Sequence, residues 1–328
     1  MSAAVDGRPS WRRCWRSPVR LLAVTVLLVG LLASFLANDV PLVARVDGNW
    51  AFPAVADCFG LPTPGPSGSW KHWWSRLPAD SADLALMPPW PYGPLEVLGE
   101  ICGQGPSLAH PLGIDTDGHD MIALLVHGTR TALCIGGTAV LIAALLGSFL
   151  GAIAGYRRGL VDVVVLRLIE IFLCFPWLLL LMLAASMFGD SRLALILVMA
   201  SLFWTSFARI VRGEMLSLRE RDFVKVARRL GVREWRVLRH HLLPQLRSQI
   251  GVTAAFCMAA AIIAESTLSF LGLGPGQQLS SWGHILRTGD AAAAAGGWHQ
   301  WLFPSIAVVG TVLTCHLLAD QLRDRPAG

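Results

Sequence analysis

Lysine is almost absent from this sequence. The two present, Lys71 and Lys225, are followed by His72 and Val226. Neither precedes the Ser or Thr of a phosphate-binding loop, where backbone amides, a Lys ammonium and a Mg-binding hydroxyl meet the phosphates of ATP. No ATP site of that kind is therefore expected in this chain. Charge of either sign is also scarce, at 15% of 328 residues against 54% hydrophobic, with a mean hydropathy of +0.55. A soluble chain of one or two domains is not this apolar. Catalytic signatures are missing too: no Gly-x-Ser-x-Gly and no His-Glu-x-x-His occurs, which argues against a membrane-embedded hydrolase. The net charge of +5 does not indicate nucleic acid, because the basic residues cluster beside apolar runs instead of spreading over a polar surface.

Metal-ligand spacing is missing as well. Asp115, Asp117 and Asp120 surround Gly118, but the glycine follows the second acid directly and no distal Glu completes a calcium loop. A turn with Asp120 capping a helix is expected there. His240-His241 lacks the spaced pair and the Glu of a zinc hydrolase, so no metal and no cofactor is assigned to this chain. Of the seven cysteines, Cys134, Cys174, Cys257 and Cys315 lie in apolar runs and Cys14 lies among arginines. Cys58 and Cys102 share one long loop and form either a disulfide or two free thiols.

What is present is a set of apolar runs. A spanning helix needs about 20 mostly apolar residues, and Leu21–Ala37, Thr131–Tyr156, Val163–Phe188, Leu193–Val211, Ile250–Leu271 and Trp301–Ala319 come close. The first run exceeds a signal-peptide core, and Phe35 spoils the small-residue pattern needed for cleavage, so it reads as an uncleaved span. Six spans place the Arg12 to Arg20 cluster, Arg157, Arg158, the run from Arg209 to Arg247, Arg323 and Arg325 on one side. The other side keeps only Arg45, Lys71, Arg76, Arg192 and Arg287, with Arg130 at a boundary. Lys and Arg of short loops stay in the cytoplasm, so both termini are expected there. Only Pro176 clearly breaks a span interior, unlike the paired broken helices of secondary transporters.

The expected organisation is all-α and polytopic: a cytoplasmic tail (1–20), a first span (21–37), an extracytoplasmic loop and entry segment (38–128), a five-helix core (129–319) and a cytoplasmic tail (320–328). The loop is rich in Pro, Gly and Trp, and an irregular outer cap is expected from Asn38 to about Asp120. Inside the core, 213–244 is cytoplasmic and basic. There Phe223, Val226, Ala227 and Leu230 recur at helical spacing, with Asp222 placed to cap the start and Gly231 to end the helix. A second helix carries Trp235, Leu238 and Leu242 towards Leu243 and Pro244. Taken alone, this elbow suits either a lipid surface or a protein groove.

The elbow resembles the signature loop of binding-protein-dependent ABC importer permeases, in which Glu-Ala-Ala is followed by Gly and later by Leu-Pro. The counterparts are Lys225, Val226, Ala227, Gly231, Leu243 and Pro244, with Lys225 standing where the family usually has Glu and Val226 where it has Ala. The second, C-type permease of the peptide and nickel branch is resembled in three more places. These are His110-Pro111-Leu112-Gly113-Ile114-Asp115 with Gly118, Asp120, Gly128 and Arg130; Glu265 to Gly274 with Ser281-Trp282-Gly283; and Phe303-Pro304 with Asp320, Leu322, Arg323 and Asp324. The long loop with Trp50, Pro88-Pro89-Trp90 and Tyr92 is similar to the oligopeptide and microcin C type.

The resemblance implies a type I importer permease of six transmembrane helices in the bacterial inner membrane, moving peptide-like solutes inward. It implies as partners a homologous second permease, ATP-binding subunits and an extracytoplasmic solute-binding protein, besides membrane lipid and without nucleic acid. Coupling to the ATPase would fall to Asp222, Phe223, Lys225, Val226, Ala227, Leu230, Gly231, Leu243 and Pro244. Glu265 is an ionisable residue within a span, a functional hypothesis by default. It serves either the solute pathway or gate, with Ser266 and Ser269, or, near the outer end of its span, as a partly solvated carboxylate hydrogen-bonded to Ser266, Ser269 or a loop amide. A non-transporting membrane adaptor would keep the elbow without a solute path.

Overall fold

The computed structural model of the chain describes residues 10–46, 49–58, 70–76, 83–99, 102–189, 191–221, 243–274, 280–293 and 296–323. Most of them are helical, as a lipid environment demands, because a helix satisfies its own backbone polar groups where no water is present. α1 covers Ser10–Leu31 and α2 Ala33–Leu36. After the loop segment come α5 (Met121–Arg157), α6 (Gly159–Leu173), α7 (Trp177–Phe188) and α8 (Arg192–Leu218). A 3₁₀ turn at Leu243–Leu246 leads into α9 (Arg247–Phe270), followed by α10 (Trp282–Ala293) and α11 (His299–Arg323). The short α3 (Pro53–Cys58) and α4 (Trp70–Ser75) lie in the loop segment.

Among the described residues, four helices, α5, α8, α9 and α11, are long and apolar enough to cross a bilayer. The expected span Val163–Phe188 is broken into α6 and α7, inclined by 77°. Pro176 explains the break: it has no N–H to donate, and its ring conflicts with the carbonyl four residues back. Counted as one span, the pair makes five. The first run is shorter than expected, since the apolar helix Pro18–Leu31 ends at a turn before α2. Large apolar side chains such as Leu141, Leu145 and Phe149 on α5 and Leu179 and Leu183 on α7 are exposed, which is costly in water and costless against lipid tails or a partner helix.

The described residues fall into two compact units. One comprises Met1–Thr25, Ile135–Ala264 and Gly310–Gly328, the other Val26–Cys134 and Glu265–Val309. In the first, Gly147, Gly151 and Gly155 form a strip along α5 that lies directly on α8. A Cβ at Gly147 would sit 2.7 Å from Phe207 Cβ, one at Gly151 would sit 2.9 Å from Ala208 Cα, and one at Gly155 would sit 2.7 Å from the Arg212 carbonyl oxygen. Small residues permit such close backbone approach, and packing of this kind is what holds helices together where lipid removes the hydrophobic drive. Beside the strip, Ala152, Tyr156, Val211, Met215, Leu218 and Leu246 form a buried cluster.

The second unit holds the loop segment. Its expected irregularity is corrected by a three-stranded antiparallel sheet of β1 (Val43–Val46), β2 (Asn49–Ala51) and β3 (Leu84–Leu86), with β1 central and Ala44 opposite both Ala51 and Ala85. Strands of three or four residues are too short to show a period-2 signal. Asp120 caps α5 as expected: its Oδ1 accepts from the N–H of Ile122 (2.9 Å) and Ala123 (3.0 Å). The same oxygen accepts from Trp90 Nε1 at 2.8 Å, while Oδ2 pairs with His110 Nδ1 at 2.7 Å. This cap starts α5 ten residues before the apolar run. Gly113 has φ +83°, and a Cβ there would meet the His299 ring at 2.7 Å, so only glycine suits that turn. Asp115 accepts from the His119 N–H at 2.6 Å and pairs with its ring at 3.2 Å, and that hydrogen bond raises the His119 pKa above its ordinary 6.5 against the opposing effect of burial.

Gly151→Val tests the strip. The obstacle is the Ala208 backbone, not a movable side chain, so the expected cost is at least the 1–3 kcal/mol of an overpacked core. A clear fall in melting temperature of the detergent-purified protein is expected, while Gly137→Ala, where a Cβ meets nothing within 4 Å, should be neutral or slightly stabilising.

Candidate functional site: a cavity and a coupling junction

Within the first unit, α7, α8 and α9, with Leu173 at the end of α6, line a cavity of about 470 Å³. The break at Pro176 turns α7 so that Trp177 meets Phe203 of α8, ring centroids 6.2 Å apart. Phe256 and Ile210 extend the apolar wall. The polar part consists of Thr205, Ser206, Arg209, Gln249 and Thr253. Thr205 donates its hydroxyl proton to Leu202 O (2.9 Å) and Thr253 donates to Gln249 O (2.7 Å), so both turn only acceptor lone pairs to the cavity. An apolar hollow with a few convergent polar groups is the usual form of a small-molecule site. Sequence reasoning did not single out these residues. The available signal was Arg209 itself, a cation flanked by Phe207, Ala208, Ile210 and Val211.

Farther along α8 lies a polar junction. The Arg212 guanidinium is bidentate on Asp162 of α6, through Nε on Oδ1 and Nη2 on Oδ2, the latter at 2.8 Å. Arg219 Nη1 donates to Tyr156 O at 2.6 Å and Arg158 Nη2 to Glu220 Oε1 at 3.3 Å. Bidentate Arg–carboxylate pairs add geometric specificity as well as energy, so α8 is fixed in rotation and height just before residue 222. Beyond residues 222–242, Leu246 joins the buried cluster that contains Leu218. The described residues that flank 222–242 thus meet in one cluster. Asp222, Phe223, Lys225, Val226, Ala227, Leu230 and Gly231 lie outside the described residues, and Leu243 and Pro244 open the 3₁₀ turn.

In the second unit Glu265 is 1% exposed, buried between α9 and the start of α10 where a partly solvated carboxylate was expected. Its Oε1 accepts from Ser269 Oγ at 2.9 Å and from Ser281 Oγ at 2.6 Å. Ser281 Oγ in turn accepts from Gly283 N–H at 3.2 Å at the start of α10, and a Cβ on Gly283 would run into the backbone of Ser266. The carboxylate therefore ties the N-terminus of α10 to α9, where negative charge is favoured. Ser269 is one of the expected partners and Ser281 an addition. Ser266 Oγ and Glu265 Oε2 are buried without a partner of normal hydrogen-bond geometry among the described residues. Cys58 and Cys102 are free thiols with different neighbours: Cys58 Sγ accepts from Arg130 Nη2 at 3.7 Å and Cys102 Sγ lies 3.6 Å from Gly99 O. The donor atoms of Asp115, Asp117 and His119 lie within 4.8 Å of one another, but Asp115 is already engaged by His119.

The family described as binding-protein-dependent transport system inner membrane component matches residues 147–325, which include the glycine strip and the cavity. The chain belongs to this family. It is similar to the glutathione transport system permease protein GsiD of Pectobacterium atrosepticum, 35% identical over 221 residues, 67% of this chain and 73% of that one. The dipeptide transport system permease protein DppC of Bacillus subtilis is 34% identical over 219 residues (67% and 68%), and the oligopeptide transport system permease protein OppC of Haemophilus influenzae 33% over 215 residues (66% and 69%). The chain is thus a multi-pass inner-membrane permease subunit of an ABC importer. It is a transport component, and ATP hydrolysis belongs to partner subunits.

Glu265→Leu separates anchoring from a pathway role. Loss of the acceptor leaves two buried hydroxyls unpaired, at about 1–3 kcal/mol, so a lower melting temperature is expected. Uptake per folded molecule should stay within about twofold of wild type, since the carboxylate is spent on α10. A selective fall in uptake per folded molecule would place Glu265 on the solute path.

Proposed function

We propose that this permease imports peptides or peptide-like solutes, and that it is the C-type member of a pair of homologous permeases working with two ATP-binding subunits and an extracytoplasmic solute-binding protein. The similarity to permeases named for glutathione, dipeptide and oligopeptide transport supports the solute class. In this reading α1 with α2 serves as the first of six spans, both termini are cytoplasmic, and the segment 38–128 faces the binding protein. Charge alternation along the chain supports that orientation.

The observation that carries the mechanism is that Leu218 and Leu246, which flank 222–242, meet in one buried cluster. A segment flanked in this way moves its neighbours when it moves. Phe223, Val226, Ala227 and Leu230 form the face offered to a groove of the ATP-binding subunit, with Asp222 capping the first helix and Gly231 setting the angle to the second. Closure of the nucleotide-bound ATPase dimer then pushes on α8 and α9 together, and the cavity between them changes shape. A shift of packed helices between discrete arrangements is an established way to transmit such a push.

Gly231→Val tests the coupling assignment. A β-branched residue resists positive φ, at a cost of about 1–3 kcal/mol, which the subunit survives while the Phe223 face is turned away. The expected outcome is normal membrane insertion with loss of ATP hydrolysis stimulated by the loaded binding protein. Unchanged stimulation would rule out the assignment and favour a lipid-surface role for the elbow.

A further inference from the structure

The cavity in the first unit has a chemistry more specific than a passage requires. Its wall contains one charged group, Arg209, and among the described residues no Asp or Glu lines it. An ionisable residue on a spanning helix is costly unless it meets a partner or a wet cavity, and no described carboxylate pairs with Arg209. Arg209 is exposed, so its guanidinium is open to an anionic oxygen from outside the described wall. Two sources carry one: the carboxylate of a solute and the phosphate of a lipid head group.

The position of Arg209 favours the solute. The amide of Gln249, one turn before Thr253 on α9, shares the cavity, and the lone pairs of Thr205 and Thr253 are free because their protons are spent on helix carbonyls. Donors for a carboxylate thus stand beside acceptors for amide or ammonium N–H groups, and the rings of Trp177 and Phe203 supply an apolar wall for side chains. A guanidinium presents a planar fork that matches a carboxylate. A lipid phosphate would use the fork but not the acceptors or the aromatic wall.

We infer that this cavity is a binding site on the solute path for the free C-terminal carboxylate of a short peptide, with Arg209 as the residue that recognises it. The inference rests on the importer reading above and adds to it a preference for a terminal acid over a terminal amide. Binding is transient by design: one charge-assisted contact in a partly open cavity selects a solute without trapping it.

The test uses the complete importer, reconstituted with its ATP-binding subunits, second permease and binding protein in vesicles. The probe is a mixture of di- to tetrapeptides, each supplied equally as free acid and as C-terminal amide, with imported peptides quantified by mass spectrometry. Selection by the binding protein is common to wild type and variant, so it cancels when their acid-to-amide ratios are compared. Arg209→Gln is expected to lower that ratio about tenfold, the scale of losing a hydrogen bond to a charged group, with amide import kept within about twofold. Arg209→Lys should restore part of the ratio, because charge remains and the fork is lost. An unchanged ratio, or a parallel fall for acid and amide, overturns the site and assigns the guanidinium to lipid phosphate or to the fold. Wild-type import of neither form overturns the peptide reading and the site with it.

Discussion

The close contact of α5 with α8 is the constraint on which the rest of the first unit depends. Lipid tails are as apolar as leucine, so two helices gain little from hiding apolar surface and must gain from packing at short range. Gly147, Gly151 and Gly155 provide that range by letting the backbones approach where a Cβ would collide with Phe207, Ala208 or Arg212. α8 is then fixed on one side by glycine and on another by the Arg212–Asp162 pair. Everything the chain is proposed to do is carried by the helix so held.

Cavity and junction share α8. Arg209 and Thr205 line the cavity, Arg212 binds Asp162, and Leu218 enters the cluster that also receives Leu246. Nine residues separate Arg209 from Leu218, about 14 Å along a helix. In the proposed coupling, a displacement passed on at Leu218 reaches the cavity wall through one stiff rod, without a chain of side-chain relays. The bend at Pro176 complements this arrangement, since it directs Trp177 to the wall and leaves α6 free to hold Asp162.

Much of the fold could be read from the sequence because membrane helices announce themselves by length and apolarity. The runs corresponding to α5, α8, α9 and α11 were located within a few residues, except at the start of α5, where the Asp120 cap extends the helix past the apolar limit, and at the end of α8, which continues to Leu218, seven residues past Val211. Pro176 was recognisable as a break, though its 77° angle was not. The small sheet and α10 left little trace: strands of three residues carry no period, and α10, which buries Trp282, Gly283, Ile285, Gly289 and Ala292, is far shorter than a spanning run of about 20 residues. Among site residues, Glu265 and Ser269 were found together as expected. Ser281 was missed as their partner because sixteen residues separate it from Glu265. The cavity was illegible because its wall is assembled from four helices, and Arg209 was counted among charges that mark topology.

The account turns on contact between the 222–244 elbow and a separate ATP-binding subunit, and direct capture of that contact is the sharpest test. A photoreactive benzophenone amino acid replacing Phe223 in the complex, illuminated in native membranes, should yield one predominant crosslink to the ATP-binding subunit, with a yield that changes when a non-hydrolysable ATP analogue is added. Crosslinking to lipid alone, in membranes where the ATP-binding subunit is present, would contradict the account.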